Sequence, residues 1–379
     1  MSSSADALGL VLTGGGARGA YQVGVLHALA RARPELEFEV LTGVSAGAIN
    51  AAFLAAHPGN FLERVGALRE LWAGLEVDAV IEVADRWFLK NALRAGLRMV
   101  SGGQGPAWKA RALVDTAPLH SLLAAHLDTD GDGLLGGIER NLSNGRHRAV
   151  AVTGSCYTTG RSVTWVAGNA PEVWDRPNRR AVRTELRLEH VLASSALPLL
   201  FPAVEVEGRW YGDGGVRLTA PLAPAIHLGA SRILTVPTRF AGRDGESDDT
   251  IATDYPPPAQ VAGVLLNAIF LDLVDQDALQ LERINQLLER TPEQHSDLRR
   301  IALEIVRPSE DLGRTANEYE ARLPRGLRFL TRGLGTKEVR SNDFLSLLMF
   351  QADYVEHLLD LGEQDGQRNL DRLTALVDR

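Results

Sequence analysis

The sequence predicts an α/β fold with a mostly parallel central sheet covered by helices on both faces, followed by a mainly helical C-terminal extension. Two segments carry this prediction, residues 8–30 and 38–56, because each reads as an apolar strand, a glycine turn and a helix. Strands that alternate with helices are typical of parallel sheets, whose crossover helices pack on the sheet faces. The tail from Asn342 onward is also predicted to be helical.

The first strand is predicted at Leu8–Leu12, a short apolar run, and the helix after it has apolar residues at helical spacing from Tyr21 onward. The later elements follow from the same patterns. They are mostly helices over 64–127, two strands joined by a turn over 147–168, a short helix and a hairpin-like pair over 190–216, a buried strand over 230–238, a long helix over 261–289 and a strand over 299–309.

The chain divides by composition into three parts. Residues 8–235 are predicted to form the core, and residues 261–379 a mainly helical extension packed on it. Between them, residues 236–260 are predicted to be a loop or linker, because residues 241–258 are acidic, contain glycine and end in consecutive prolines.

Composition narrows the function classes. The 379 residues include 45% hydrophobic and 23% charged residues, and the net charge of −8 argues against a nucleic-acid partner. One cysteine, Cys156, excludes an intrachain disulfide and a cysteine-based metal cluster. We find neither a signal peptide nor a run of about 20 apolar residues, so we expect a cytoplasmic protein, with peripheral membrane contact left open.

The glycine loop after the first strand supports two hypotheses. Gly14, Gly16 and Gly19 match the G-x-G-x-x-G pattern of a dinucleotide-binding turn, but the second strand ends in Gly43-Val44-Ser45 and lacks the acidic residue that would bind ribose. The alternative is an oxyanion hole, in which glycines let backbone N–H groups approach a ligand closely. Arg18 in this loop could steady a phosphate or an oxyanion.

Ser45 lies at the centre of a G-x-S-x-G pattern between the second strand and its helix, as a serine nucleophile does. Gly43 and Gly47 leave room for the tight turn. No histidine has an obvious catalytic context, since His190 and His227 fall on predicted helices. Asp213, followed by Gly214 and Gly215, is the alternative base, because partial burial can raise a carboxyl pKa toward neutral pH.

Taken in order, these motifs resemble those of the patatin-like phospholipases. The resemblance rests on 14-GGGARG-19, 43-GVSAG-47, 193-ASSALP-198 and 213-DGG-215, and spans about residues 8–235. The chain departs from the family pattern at Thr219, where an asparagine is common.

This resemblance implies a three-layer α/β/α fold and a Ser45–Asp213 dyad that works without histidine. Gly14, Gly15, Gly16 and Arg18 would match the oxyanion loop. The implied substrate is a phospholipid or another fatty acyl ester, hydrolysed through an acyl-enzyme without a cofactor. A non-catalytic lipid-binding protein of the same fold and, less favoured, a dinucleotide-dependent oxidoreductase remain the alternatives.

Two weaker signals lie outside these motifs. Residues 128–139 match a calcium-binding loop, with Asp128, Asp130, Asp132 and Glu139 as candidate ligands, although an acidic surface turn explains the pattern more simply. Residues 85–100 mix aromatic and aliphatic residues with arginines and a lysine. That mixture suits a helix on an anionic membrane or over an acyl groove, with core packing as the simpler explanation.

Overall fold

We describe the fold from a computed structural model that covers the chain in seven parts. These are residues 6–81, 114–169, 173–240, 261, 273–290, 298–333 and 342–378. The membrane-helix hypothesis for residues 85–100 and the loop prediction for residues 241–258 lie outside them.

Ten strands of the described chain form one mixed sheet. Their bounds are β1 Ala7–Leu12, β2 Val40–Val44, β3 Ala149–Cys156, β4 Ser162–Gly168, β5 Asp175–Arg176, β6 Arg179–Arg183, β7 Val204–Val206, β8 Arg209–Asp213, β9 Ala230–Val236 and β10 Ala302–Ile305. The order is β10-β9-β1-β2-β3-β4-β6-β5, and β8 pairs with both β3 and β7. The five strands from β10 to β3 are mutually parallel, whereas β4 and β8 run antiparallel to β3.

The α helices of the described chain are numbered in chain order. They are α1 Gly19–Ala32, α2 Ala46–Ala56, α3 Phe61–Ala73, α4 Val77–Val80, α5 Ala117–His126, α6 Gly136–Ser143, α7 Leu188–Ser194, α8 Ala223–His227, α9 Leu273–Arg290, α10 Leu312–Tyr319, α11 Arg325–Gly333, α12 Asp343–Leu348, α13 Ala352–Arg368 and α14 Leu370–Val377. Each of these helices is either too short or too polar to cross a bilayer.

Helices cover both faces of the sheet, which confirms the three-layer prediction. In β1, Leu10 and Leu12 pack with α1, α2 and α13 on one face, while Val11 packs with α8 and α9 on the other. A strand buried on both faces has no polar side to alternate with, which explains why β1 reads as an unbroken apolar run.

The C-terminal region is helical as predicted, but it is also part of the central sheet. Strand β10 pairs in parallel with β9 and extends the sheet by one strand. Helix α13 packs closely on α1, since a Cβ placed on Gly24 would lie 2.1 Å from the Leu359 carbonyl oxygen. The strand predicted over 299–309 is therefore confirmed, and it joins the C-terminal third directly to the core.

Candidate active site

The glycine loop lies between β1 and α1 and is held through its carbonyl groups. Arg18 N–H donates to the Gly15 carbonyl at 3.0 Å, and the Thr238 hydroxyl donates to the Gly14 carbonyl at 2.8 Å. A Cβ on Gly15 would lie 2.4 Å from Thr238 Oγ1. The loop is therefore held through its carbonyl oxygens, and neither of these two bonds uses the N–H group of Gly14, Gly15 or Gly16.

Ser45 occupies a strained turn between β2 and α2. Its backbone has φ 57° and ψ −130°, a combination that costs an L-residue about 1–3 kcal/mol and is concentrated at functional sites. Two close backbone contacts surround the turn: a Cβ on Gly43 would lie 2.3 Å from the Gly47 carbonyl oxygen, and a Cβ on Gly47 would lie 2.2 Å from the Leu12 carbonyl oxygen. This is the geometry predicted from the G-x-S-x-G pattern.

Gly47→Ala should destabilise the protein by about 2–4 kcal/mol, because the new methyl group would lie 2.2 Å from the Leu12 carbonyl oxygen in the fixed backbone of β1. Urea unfolding measures the change. Gly66→Ala is the matched control, since nothing lies within 4 Å of its new methyl group and alanine favours helix α3 by up to about 1 kcal/mol. Equal free energies of unfolding for the two variants would contradict the close backbone contact at the Ser45 turn.

Strand β3 brings Asp213 to Ser45. Strand β2 ends with Val44 opposite Thr153, and β8 approaches from the other direction, ending with Asp213 opposite Gly154. Strand β4 pairs with the other edge of β3 at these positions. Strands β2 and β8 therefore share one edge of β3, and β8 begins to pair where β2 ends. The ends of β2 and β8 therefore meet, and the side chains of residues 45 and 213 lie together.

Asp213 is completely buried, and burial raises its pKa to about 7. The Ser45 hydroxyl and the Gly215 N–H oppose this rise, and Gly215 N donates to Asp213 Oδ1 at 2.9 Å. Within the described ranges Asp213 Oδ2 has no hydrogen-bond partner of standard geometry. The Ser45 hydroxyl therefore lies near the carboxylate without forming such a bond to Oδ2. A carboxyl with this pKa can accept a proton near neutral pH.

Ser194 supports the turn, a role that no local sequence pattern predicted. Ser45 N–H donates to Ser194 Oγ at 3.0 Å, and the Ser194 hydroxyl donates to the Thr153 carbonyl at 2.7 Å. Asp213 N–H donates to the Ala196 carbonyl at 2.8 Å. The segment 193-ASSALP-198 therefore binds the backbone of both Ser45 and Asp213. The resemblance of this segment to a family motif was the sequence signal that could have indicated these contacts.

Ser45 and Gly16 line one apolar cavity with about 570 Å³ of empty space, which includes open solvent. Its other lining residues are aliphatic or aromatic except for Ser195, and they come from helices α2 to α5, the segment after α7 and the segment after α12. They are Ala46, Ile49, Leu71, Trp72, Leu75, Val80, Leu119, Leu122, Leu123, Leu197, Phe201 and Phe350. The cavity can receive a hydrocarbon chain beside the Ser45 hydroxyl.

Arg18 lies in the glycine loop as predicted, but its guanidinium does not line this cavity. The side chain is 1% exposed, with Nε donating to Ser346 Oγ at 2.7 Å and Nη2 paired with the Asp343 carboxylate. Its backbone N–H is also engaged, by Gly15. The guanidinium is therefore bonded to Ser346 and Asp343, and the contact of Arg18 with an oxyanion stays a prediction.

The two histidines considered earlier are packing residues. His190 is buried against Trp165, and burial lowers its pKa to about 4 while its Nδ1 accepts the Arg187 N–H at 2.9 Å. His227 stacks on Trp174 with ring centroids 4.8 Å apart. Neither residue lines the cavity at Ser45.

The calcium candidates do not converge. Asp128 pairs with Arg140 at 3.0 Å, and Asp130 Oδ1 accepts the N–H groups of Asp132 and Leu134 at 3.0 and 2.8 Å. Glu139 has its pKa raised by burial and by the nearby Glu185. No group of three or more acidic, histidine or cysteine side chains able to hold a metal occurs in the described parts of the chain. Residues 128–135 form an acidic turn, and residues 136–139 begin helix α6.

Comparison with solved structures finds a similar fold in a cytosolic phospholipase A2. The human group IVD cytosolic phospholipase A2 matches all of this chain and 60% of its own, with 12% identity and a TM-score of 0.50, which shows a shared fold. VipD of Legionella pneumophila matches 94% of this chain and 67% of its own at 13% identity and a TM-score of 0.37. The ExoU–SpcU complex of Pseudomonas aeruginosa matches 99% of this chain at 15% identity, 52% of its own and a TM-score of 0.30.

The chain spans about 60% of the length of the human phospholipase structures that it matches. No curated protein matches its sequence significantly. The family model described as patatin-like phospholipase matches residues 10–226, which include the glycine loop, the Ser45 turn and Asp213. Since this match covers more than half of the chain, the protein belongs to the patatin-like phospholipase family.

Proposed function

We propose that this protein is a serine hydrolase of lipid acyl esters in which Ser45 is the nucleophile and Asp213 the general base. One observation carries the proposal: the strained Ser45 lies beside a buried carboxyl whose pKa is about 7, and lines an apolar cavity. Family membership supports the same class of reaction. Phospholipids and other fatty acyl esters are the proposed substrates.

In the first half-reaction, Asp213 takes the Ser45 proton as Oγ attacks the ester carbonyl carbon. The carbonyl electron pair moves to oxygen, and the N–H groups of Gly15 and Gly16 are the proposed donors to that oxyanion. The Ser45 N–H is engaged by Ser194 and is not among them. Collapse of the intermediate expels the alcohol oxygen, which receives the proton from Asp213, and leaves the acyl group on Ser45.

In the second half-reaction, Asp213 takes a proton from water as the water oxygen attacks the acyl-enzyme. The same donors hold the second oxyanion. Its collapse breaks the Ser45 ester bond, releases the fatty acid, and returns the proton to Ser45. The dyad is thereby regenerated.

The dinucleotide hypothesis fits this loop poorly. Glycines of a dinucleotide turn leave space for a pyrophosphate, whereas here the space at Gly15 is filled by the Thr238 side chain. At Gly16, the Leu347 carbonyl oxygen lies 2.2 Å from where a Cβ would be. A thermal-stability gain with NAD or NADP would favour the oxidoreductase.

The value of kcat/KM should increase with the acyl chain length of the substrate. Each methylene buried in the cavity contributes about 0.8 kcal/mol, so kcat/KM should rise about fourfold per methylene until the chain fills the available space. Measurements on acetyl, butyryl, hexanoyl and octanoyl p-nitrophenyl esters check this. A preference for acetyl ester would contradict a lipid substrate. Binding of lipid without turnover or acyl-enzyme would instead favour the non-catalytic lipid-binding protein.

A further inference from the structure

The segment 342–350 contacts the glycine loop although it lies far beyond the family match, which ends at residue 226. It comprises α12 and the residues on either side of it. Its start is fixed locally, because Asn342 Oδ1 accepts the Leu345 N–H at 3.1 Å and the Asn342 carbonyl accepts the Ser346 N–H at 3.0 Å. The segment therefore presents a defined surface to the loop.

Arg18 is the principal link between the two. Its guanidinium is buried and bonds to three groups of the segment: Ser346 Oγ, the Asp343 carboxylate and, at 3.4 Å, the Asp343 carbonyl. The Ser346 hydroxyl in turn donates to the Asp343 carbonyl at 2.8 Å. Because a buried guanidinium needs such partners, these bonds determine where the Arg18 side chain lies.

The segment also touches the loop and the cavity directly. Gly16 has φ +54°, and a Cβ there would lie 2.2 Å from the Leu347 carbonyl oxygen. Phe350 lines the same cavity as Gly16 and Ser45. The contacts with Arg18, Gly16 and the cavity thus converge where the proposed oxyanion donors lie.

We propose that the 342–350 segment completes the active site, with Asp343 and Ser346 as positioning residues that hold the glycine loop through Arg18. The catalytic part of this proposal rests on the proposed hydrolase function. Oxyanion donors act only when they are preorganised, and a misplacement of about 1 Å can cost about 10²-fold in rate. Arg18 is the last loop residue before α1 and its N–H is bonded to the Gly15 carbonyl, so a change in the Arg18 position is transmitted to Gly15 and Gly16.

The test compares Asp343→Asn and Ser346→Ala with wild type, with rates expressed per active site titrated by a fluorophosphonate. We expect kcat to fall about 10- to 100-fold while KM stays within about twofold, because the loop stabilises the transition state more than the substrate. Asp343→Glu should recover part of the loss. Asp360→Asn is the matched control, since it removes another ion pair, with Arg69 at 3.1 Å, between α13 and α3. An unchanged kcat for both Asp343→Asn and Ser346→Ala would overturn the proposal that these residues support catalysis.

A second measurement judges the positioning role without catalysis. Hydrogen exchange at the Arg18 amide, which donates to the Gly15 carbonyl at 3.0 Å, should be at least about tenfold faster in Asp343→Asn than in wild type or Asp360→Asn. Should Asp343→Asn fail to fold, Ser346→Ala, which keeps the ion pair, replaces it. If wild type does not react with the phosphonate, the hydrolase proposal fails, whereas the positioning proposal fails if exchange is unchanged.

Discussion

Ser45→Ala is expected to lower kcat/KM for a long-chain ester by about 10⁴-fold or more. No acyl-enzyme can form without the hydroxyl, and loss of the nucleophile in a serine hydrolase removes most of the rate enhancement. Stability should change little, because the bond from residue 45 N–H to Ser194 is retained and alanine experiences the same strained φ as serine. Steady-state kinetics and thermal unfolding measure the two effects.

Ser231→Ala is the control for this variant. Ser231 is also a buried serine, but it lies in β9, its hydroxyl donates to Asp6, and it does not line the cavity at Ser45. We expect it to keep wild-type turnover. Activity of Ser45→Ala within tenfold of wild type would show that another residue attacks the ester.

Asp213→Asn should lower turnover by a similar factor, because an amide cannot accept the Ser45 proton. Asparagine keeps the size of the side chain and an oxygen that can accept the Gly215 N–H, so the local structure should be retained. The same assay measures this loss. Turnover that is preserved and still increases with pH through about 7 would contradict a base role for Asp213.

The same substitution should stabilise the protein at high pH. The Asp213 pKa rises from 3.8 to about 7 on folding, so the folded state binds this proton more tightly than the unfolded state. The stability that protonation confers is full below about pH 4, declines as pH rises toward 7, and is lost above it. Wild type therefore loses up to about 4 kcal/mol of stability as pH rises. The Asp213→Asn variant does not lose this stability, because asparagine does not titrate.

Urea unfolding at pH 5, 7 and 9 tests the linkage. We expect the free energy of unfolding of Asp213→Asn relative to wild type to increase from pH 5 to 7 and then to level off. Asp360→Asn removes an exposed carboxylate in an ion pair and should show no such increase. A difference that is constant with pH would mean that Asp213 has an ordinary pKa in the folded protein.

The sequence was sufficient to predict those parts of the site that depend on local geometry. The apolar runs at β1 and β2, with glycine turns after them, predicted where Ser45 and the glycine loop lie. Asp213 followed from a similar local pattern, an aspartate after a strand and before two glycines. Their meeting at one edge of β3 depends on the order of the strands, for which the family resemblance provided the expectation.

The contacts that sequence reasoning missed join residues far apart in the chain. Arg18 and Asp343 are separated by 325 positions, and no pattern near either residue indicates the other. Thr238, which holds the loop at Gly14, lies on the segment after β9 that was predicted to be part of a linker. The calcium interpretation failed for the opposite reason, because nearby groups already engage two of the candidate ligands: the Asp132 and Leu134 N–H groups donate to Asp130, and Arg140 pairs with Asp128.

Labelling with a fluorescent fluorophosphonate across pH 5–9 tests the Ser45–Asp213 dyad most directly, with intact mass and peptide mapping to locate the adduct. We predict one adduct, on Ser45, with a labelling rate that increases through about pH 7 as Asp213 loses its proton, and no adduct in Ser45→Ala or Asp213→Asn. Rapid labelling of Asp213→Asn, or an adduct on another serine, would contradict the dyad.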